Sequence, residues 1–391
     1  MRASPACSSC PARPMPPRRR REEKPLPRRL MRFWWRFLVV ALVLYVGYTI
    51  WLGGAYRSTE PFVAGQCEAV AAPPGPEDMA QLADGAIVAS QDRRNRDAPG
   101  GLYFYDMSSR PGRFTKLDLP ASLVLHPHGI SLFTAPDGQM FLHVINHRSA
   151  ERHTVEIFSV QRPAGAALPV LRHRGSVSSD LFVHPNGIAA AGPESFYLTN
   201  DRGSGLGFIS QRWMHMVENL LQLARSTVVY HDGRGARVVA QDIAFANGIE
   251  ISADGGTVLV GSTQWRMLLA YTREPQSGML LRSGSLALPG GADNIRRDAD
   301  GNLWVAAHPN AFAFIGHAMD AGKESPSMIL RLARDSRGVV QTEQAFGDPG
   351  TLISGASVGL HRQGRLLIGA VFQPTVLDCL LDETKLRENA D

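Results

Sequence analysis

Hydrophobic and polar positions are arranged along this chain in two different ways. Phe37 to Tyr56 is a stretch of about 20 residues with no formal charge, the length at which a helix crosses the hydrocarbon core of a bilayer. Trp34, Trp35, Tyr45, Tyr48 and Trp51 supply aromatic rings, several near the ends where interfacial rings settle. Farther along, the pattern is short and β-like. A polar residue, often followed by Gly, precedes an apolar residue, and a turn comes seven to nine positions later. The pattern recurs six times: Glu77-Asp78-Met79 to Asp84-Gly85, His128-Gly129-Ile130 to Asp137-Gly138, Asn186-Gly187-Ile188 to Glu194-Ser195, Asn247-Gly248-Ile249 to Asp254-Gly255, Asp293-Asn294-Ile295 to Asp300-Gly301, and Ser357-Val358-Gly359 to Gly364. A short β-rich run follows each turn: 86–90, 140–145, 196–199, 258–261, 303–306 and 366–369.

Strand, Asp-Gly turn, strand is a hairpin pattern. Six of them at intervals of 46 to 64 residues leave room for two further strands per unit, which predicts an all-β, six-bladed β-propeller with four-stranded blades. A β-sandwich with coincidental Asp-Gly turns is the competing reading. Residues 207–225 depart from the pattern and read as a helix, with Ile209, Trp213, Met216, Val217, Leu220, Leu221 and Leu223 on one broad face. Their place directly after Asp201 suggests an insertion over the channel mouth: a lid with an apolar wall, a membrane contact, or a helix packed on the propeller.

Composition and charge sharpen this picture. The 391 residues are 44% apolar, ample for a core and incompatible with disorder over most of the length. Residues 1–36 carry eleven Arg or Lys against Glu22 and Glu23, whereas the remainder carries 30 basic and 34 acidic residues. The body is therefore mildly acidic, which excludes nucleic acid as a partner, since that needs a basic face on the folded domain. The expected organisation is a basic Pro/Arg-rich tail over 1–36, a transmembrane signal anchor over 37–56, and the propeller over 57–391. The Arg excess on the N-terminal side predicts a cytoplasmic N-terminus and a propeller on the periplasmic or extracytoplasmic side. A cleaved signal peptide is the alternative, with Gly53-Gly54-Ala55 as small residues, but the apolar run exceeds the usual 7–15-residue core of such peptides.

Cys7 and Cys10 form a single C-x-x-C in the tail, poor grounds for zinc. Cys67 and Cys379 lie in the first and last segments of the body. In an exported protein they can pair and close the fold; two unrelated buried thiols are the alternative.

In a propeller the innermost strands line a central channel, so residues at their starts converge on one axis. Here these are Glu77, His128, Asn186, Asn247, Asp293 and Ser357, with Asp78 and Asn294 beside two of them. Carboxylate and amide oxygens without cysteine suit a hard cation, and calcium best.

These residues sit in longer motifs: Pro127-His128-Gly129-Ile130-Ser131, Val144-Ile145-Asn146-His147, Thr154-Val155-Glu156-Ile157-Phe158, Gly192-Pro193-Glu194, Thr199-Asn200-Asp201, Phe245-Ala246-Asn247-Gly248-Ile249, Asp293-Asn294-Ile295, Leu303-Trp304-Val305, His308-Pro309-Asn310 and Leu366-Leu367-Ile368-Gly369. From about Cys67 to Leu380 the chain resembles the paraoxonase/arylesterase family. That resemblance implies a six-bladed propeller that hydrolyses lactones, aryl esters and, weakly, organophosphates with calcium in its channel. It implies Glu77, Asn186, Asn247, Asp293 and Asn294 as ligands of a catalytic calcium, Cys67–Cys379 as the closing disulfide, and His128 and His147 as paired histidines. It also implies a second, structural calcium on Asp78 and the Ile130 carbonyl. The chain departs from the family there, with Gly187 where the pattern has aspartate, and Arg202 follows Asp201 where animal relatives carry histidine.

The chemistry expected is metal-polarised attack of water on a small lipophilic ester or lactone. His128 is the expected general base, with His147 orienting it; Glu77 or another channel carboxylate is the alternative acceptor. A G-x-S-x-G serine-esterase elbow is not expected in this chain. Two other functions compete: a gluconolactonase- or strictosidine-synthase-like propeller enzyme, and a non-catalytic, calcium-stabilised binding scaffold.

Overall fold

The computed structural model describes residues 28–149, 152–163, 165–204, 210–334 and 337–388. The basic tail up to residue 27, with Cys7 and Cys10, and Ile209 of the expected helix lie outside the described residues. The chain divides into two compact units, 1–47 and 48–391. Helix α1, Arg28–Leu52, contains Met31–Leu52, a 22-residue segment long and apolar enough to cross a membrane. It starts and stops earlier than the expected 37–56, because Gly53-Gly54 ends it. Gly54 has φ +73°, its N–H donates to the Trp51 carbonyl at 3.1 Å, and the Ala55 N–H reaches back to Ile50 at 3.4 Å, the left-handed glycine closure common at helix C-termini.

The second unit is the expected six-bladed propeller. From the channel outward, blade 1 is built of strands 76–81, 85–90, 101–106 and 113–116, blade 2 of 127–134, 140–147, 153–161 and 170–177, and blade 3 of 185–190, 195–200, 226–232 and 236–243. Blade 4 is built of 246–251, 257–262, 267–273 and 280–287, and blade 5 of 291–297, 303–308, 327–334 and 340–348, with Phe62–Val63 paired on its outer edge. Blade 6 takes 356–362, 365–370 and 375–381 from the C-terminus and Gly65–Ala71 from the N-terminal side. Cys67 and Cys379 are register partners in that last pairing and are disulfide-bonded. The two ends of the propeller therefore meet in one sheet, as expected.

A sheet of this kind has two apolar faces and buries both against its neighbours. The core accordingly falls into six clusters, one at each interface between blades. Ile87, Leu102 and Phe104 of blade 1 meet Ile130, Leu142 and Phe158 of blade 2, and Trp304, Ile329 and Phe346 of blade 5 meet Leu366, Ile368 and Leu377 of blade 6. The same arrangement repeats at the other four interfaces.

Helix α2 covers Gln211–Leu221, shorter than the expected 207–225; Gln222 adopts a left-handed conformation (φ 48°) and ends it before Leu223. It buries Met214 and Glu218 and leaves Trp213, Leu220 and Leu221 exposed. Helix α3, Ala311–Met319, was not expected; Asn310 caps it, accepting from the Phe312 and Ala313 amides at 3.1 and 3.0 Å.

Candidate active site

All six inner strands break register at the polar residue of the repeat. The shifts fall between Pro76 and Asp78, Pro127 and Ile130, Pro185 and Ile188, Ala246 and Ile249, Ala292 and Ile295, and Ala356 and Val358. Bulges of this kind re-aim side chains out of the ladder's alternation. The glycine after the polar residue has a separate cause. A Cβ on Gly129 would stand 2.4 Å from the Asn186 carbonyl oxygen, one on Gly187 2.5 Å from that of Asn247, and one on Gly248 2.3 Å from that of Asp293. Only glycine lets neighbouring inner strands approach this closely. On the other side of the ring, Asn294 Nδ2 and Ser357 Oγ both donate to the Glu77 carbonyl, at 3.1 and 2.8 Å. The strand starts thus form one contiguous ring around the channel.

Glu77, Asn186, Asn247, Asp293 and Asn294 are all at most 7% exposed. Each asparagine spends its amide nitrogen on a neighbour. Asn186 Nδ2 donates to Asp201 Oδ2 at 3.1 Å, Asn247 Nδ2 to Thr263 Oγ1 at 3.2 Å, and Asn294 Nδ2 to the Glu77 carbonyl. This leaves the amide oxygens for another partner, and Asn247 Oδ1 is buried without one. A buried acceptor without a donor is costly and calls for a ligand. Asp293 Oδ2 is paired with His308 Nε2 at 2.8 Å, leaving its other oxygen. Among the described residues no three His, Cys, Asp or Glu side chains are grouped to hold a metal ion; the ring takes three of its five side chains from asparagine. Such a set, hard oxygens in an acidic surround, fits calcium.

Glu77 is the electrostatic centre. Its Oε1 lies 2.9 Å from His128 Nε2, and its Oε2 takes Arg93 Nε at 2.5 Å. Burial pushes the Glu77 carboxyl up, but the charge of Arg93 and the contact with His128 outweigh it and hold the carboxyl at about 2. A carboxylate has about four lone-pair sites; His128 and two Arg93 nitrogens take three, which leaves one for a cation.

Beyond Glu77 runs a chain of imidazoles. His128 Nδ1 lies 2.8 Å from His147 Nε2, and His147 Nδ1 lies 2.9 Å from His153 Nδ1. Burial lowers the pKa of all three, to about 4 for His153, with the charge of Arg93 adding for His128 and the neighbouring histidines for His147. All three are therefore neutral, with one proton each. With Glu77 ionised, the protons fall on His128 Nε2, His147 Nε2 and His153 Nδ1, every bond donating toward Glu77. His184 Nδ1 stands 2.6 Å from Asp201 Oδ1 at the side of this cluster. Burial opposes ionisation of Asp201, but His184, Arg202 and Asn186 together hold its carboxyl well below the usual range.

The second expected metal position looks different. Asp78 is fully buried, and the guanidinium of Arg296 lies against both its carboxylate and the Ile130 carbonyl. Those two groups, expected as calcium ligands, are here the partners of an arginine.

Arg93, His153, His308 and Arg296 were not singled out from the sequence. Nothing local marks them; each acts through a partner on another strand or blade. His308 lay in a motif already noted, His308-Pro309-Asn310. Contrary to expectation, residues 355–359, Gly-Ala-Ser-Val-Gly, do spell G-x-S-x-G. Ser357 nonetheless lies in an inner β-strand, not at a strand-to-helix turn, and is fully buried, with its hydroxyl donating to Glu77. It has none of the exposure that a nucleophile elbow requires.

The arylesterase family model matches residues 76–381. Over 331 residues the chain is 31% identical to serum paraoxonase/arylesterase 1 of Homo sapiens, covering 81% of this chain and 90% of that protein. It is 30% identical over 281 residues to serum paraoxonase/arylesterase 2 of Homo sapiens, covering 71% and 75%. It is 26% identical over 311 residues to serum paraoxonase/lactonase 3 of Homo sapiens, covering 77% and 82%. A match that spans the propeller, on a fold with the family's closing disulfide, places this chain in the arylesterase family of ester hydrolases.

Proposed function

We propose that this protein hydrolyses lactones and aryl esters with calcium bound in its channel by Glu77, Asn186, Asn247, Asp293 and Asn294. The observation that carries the reading is the buried, partnerless Asn247 Oδ1 in a ring whose three amide nitrogens are all tied elsewhere. When bound, calcium supplies a Lewis acid for the ester carbonyl and for the oxyanion formed as water adds.

The chain's own part is to receive the proton of that water. The three imidazoles have two tautomer sets. In the set favoured by ionised Glu77, His128 donates from Nε2 and has no acceptor free. In the reverse set His128 Nε2 is bare, its Nδ1–H donates to His147, and His147 Nδ1–H donates to His153. A proton taken at His128 Nε2 then passes outward along both bonds toward His153, whose Nε2 is buried without a hydrogen-bond partner, so the imidazoles hold the added proton until His128 returns it to the leaving alkoxide. His128 is thus the base, His147 the relay that orients it, and His153 the far end of the relay. Arg93 steadies the Glu77 carboxylate throughout.

Two alternatives are weaker. A gluconolactonase- or strictosidine-synthase-like enzyme fits less well with a chain that matches the arylesterase family over 76–381. A calcium-stabilised scaffold has no use for a three-histidine relay leading from the channel. The exposed apolar residues of α2, Trp213, Leu220 and Leu221, suit a lipophilic substrate or a membrane surface. The proposed topology is an uncleaved anchor with a cytoplasmic N-terminus and the propeller across the membrane, consistent with a disulfide formed in an oxidising compartment.

Asn247→Ala tests the site. Hydrolysis should fall at least about 100-fold, with circular dichroism and the Cys67–Cys379 bond unchanged. Near-normal turnover in a folded variant would remove Asn247 from the site.

A further inference from the structure

We infer that Arg296 is a built-in cation: its guanidinium holds the buried hub beneath the channel where a second calcium would sit, so the hub binds no metal. The inference goes beyond the channel reading and does not depend on it.

Asp78, at the start of blade 1, is 0% exposed. Its Oδ1 accepts the Met79 N–H at 2.9 Å and its Oδ2 the Ile130 N–H at 2.8 Å. Arg296, on the inner strand of blade 5, donates from Nε to the Met79 carbonyl at 2.7 Å, from one terminal nitrogen to the Ile295 carbonyl at 2.8 Å, and from the other to the Ile130 carbonyl at 2.8 Å and to the Asp78 carboxylate. One side chain thus ties blades 1, 2 and 5 together at their inner strands. A carboxylate buried this deeply, with two carbonyl oxygens turned toward it, needs a cation and several donors. The planar fork of arginine, with five N–H groups, supplies both.

The family's aspartate cannot be restored at this position. A second carboxylate would come from residue 187, but a Cβ there would lie 2.5 Å from the Asn247 carbonyl oxygen and 3.1 Å from Gly248 Cα. The backbone has closed over the space an aspartate would use, and the remaining oxygens are engaged by Arg296. Unlike an ion, a covalently attached cation is not removed by a chelator.

The test counts calcium on the full-length chain in detergent. Wild type and Asn247→Ala are dialysed against calcium buffer and the metal measured by atomic emission. The inference expects no more than one ion per chain in wild type and no more than one in Asn247→Ala. Two ions in wild type, or two in Asn247→Ala, would overturn it. No ion in wild type would defeat the channel reading while supporting an ion-free hub. In parallel, Arg296→Met keeps the length and removes the charge; its melting midpoint should drop by roughly 5–10 °C, and adding Asp78→Asn in the same chain should restore part of the loss. A midpoint within about 1 °C of wild type would also overturn the inference. The calcium count reads the hub directly, whether or not the variant folds.

Discussion

His143 lies on blade 2 outside the channel, fully buried with its ring 5.7 Å from that of Phe196. Burial lowers its pKa to about 4, while in the unfolded chain it titrates near 6.5. Between those values the unfolded state binds more protons, so stability rises with pH across the window and is lost as pH falls from about 6.5 toward 4. The neutral His128, His147 and His153 have lowered values of the same sign, so the whole protein should be acid-labile. His143→Leu removes one contribution without touching the site. At pH 4.5 the variant should recover about 2–3 kcal/mol of the wild type's acid loss, read as a smaller drop in melting midpoint between pH 7.5 and 4.5. Equal drops in the two proteins would show that His143 is not held neutral.

At the scale of the strand, the recurring unit of polar residue, glycine and apolar residue has a physical origin that explains why it is visible in sequence. The polar residue sits at a bulge, the glycine meets the carbonyl of the next blade, and the apolar residue enters the interface between blades. All three demands are local, so Asn186-Gly187-Ile188 and Asn247-Gly248-Ile249 announce the inner strands and the oxygen ring without a structure. Gly248→Ala should cost roughly 1–3 kcal/mol in denaturant unfolding, because its Cβ would fall 2.3 Å from the Asp293 carbonyl. Gly284→Ala, on an outer strand with nothing within 4 Å, should change stability by no more than about 0.5 kcal/mol. Similar losses at both positions would contradict this account of the repeat. What stayed hidden is what depends on distant partners. Arg296 meets Asp78 across 218 positions and Ile130 across 166, and Asn294 reaches Glu77 across 217; no spacing encodes such pairs. His153 stands outside the repeat, at the start of a third strand, where a histidine reads as an ordinary edge residue. Helix α2 was visible from its periodicity, but its exposed side was not, since an apolar stripe ordinarily faces a core.

For the molecule as a whole, closure matters most. A propeller is a ring of blades that each touch only two others, so a gap between first and last would expose two apolar faces. Blade 6 prevents this by taking its outer strand from the N-terminal side of the domain and bonding Cys67 to Cys379 across 312 positions, a link that in the chain-entropy account contributes up to about 5 kcal/mol. The Arg296 hub fastens the inner strands and the disulfide the outer edge. The central claim is that the channel ring works through calcium. Its most direct test is hydrolysis of a panel of lactones and of phenyl acetate by the full-length protein in detergent, first as isolated, then after EDTA, then with calcium returned. The account predicts turnover that disappears with the chelator and recovers with Ca²⁺. Turnover indifferent to EDTA, or none on any substrate by folded protein supplied with calcium, would contradict it.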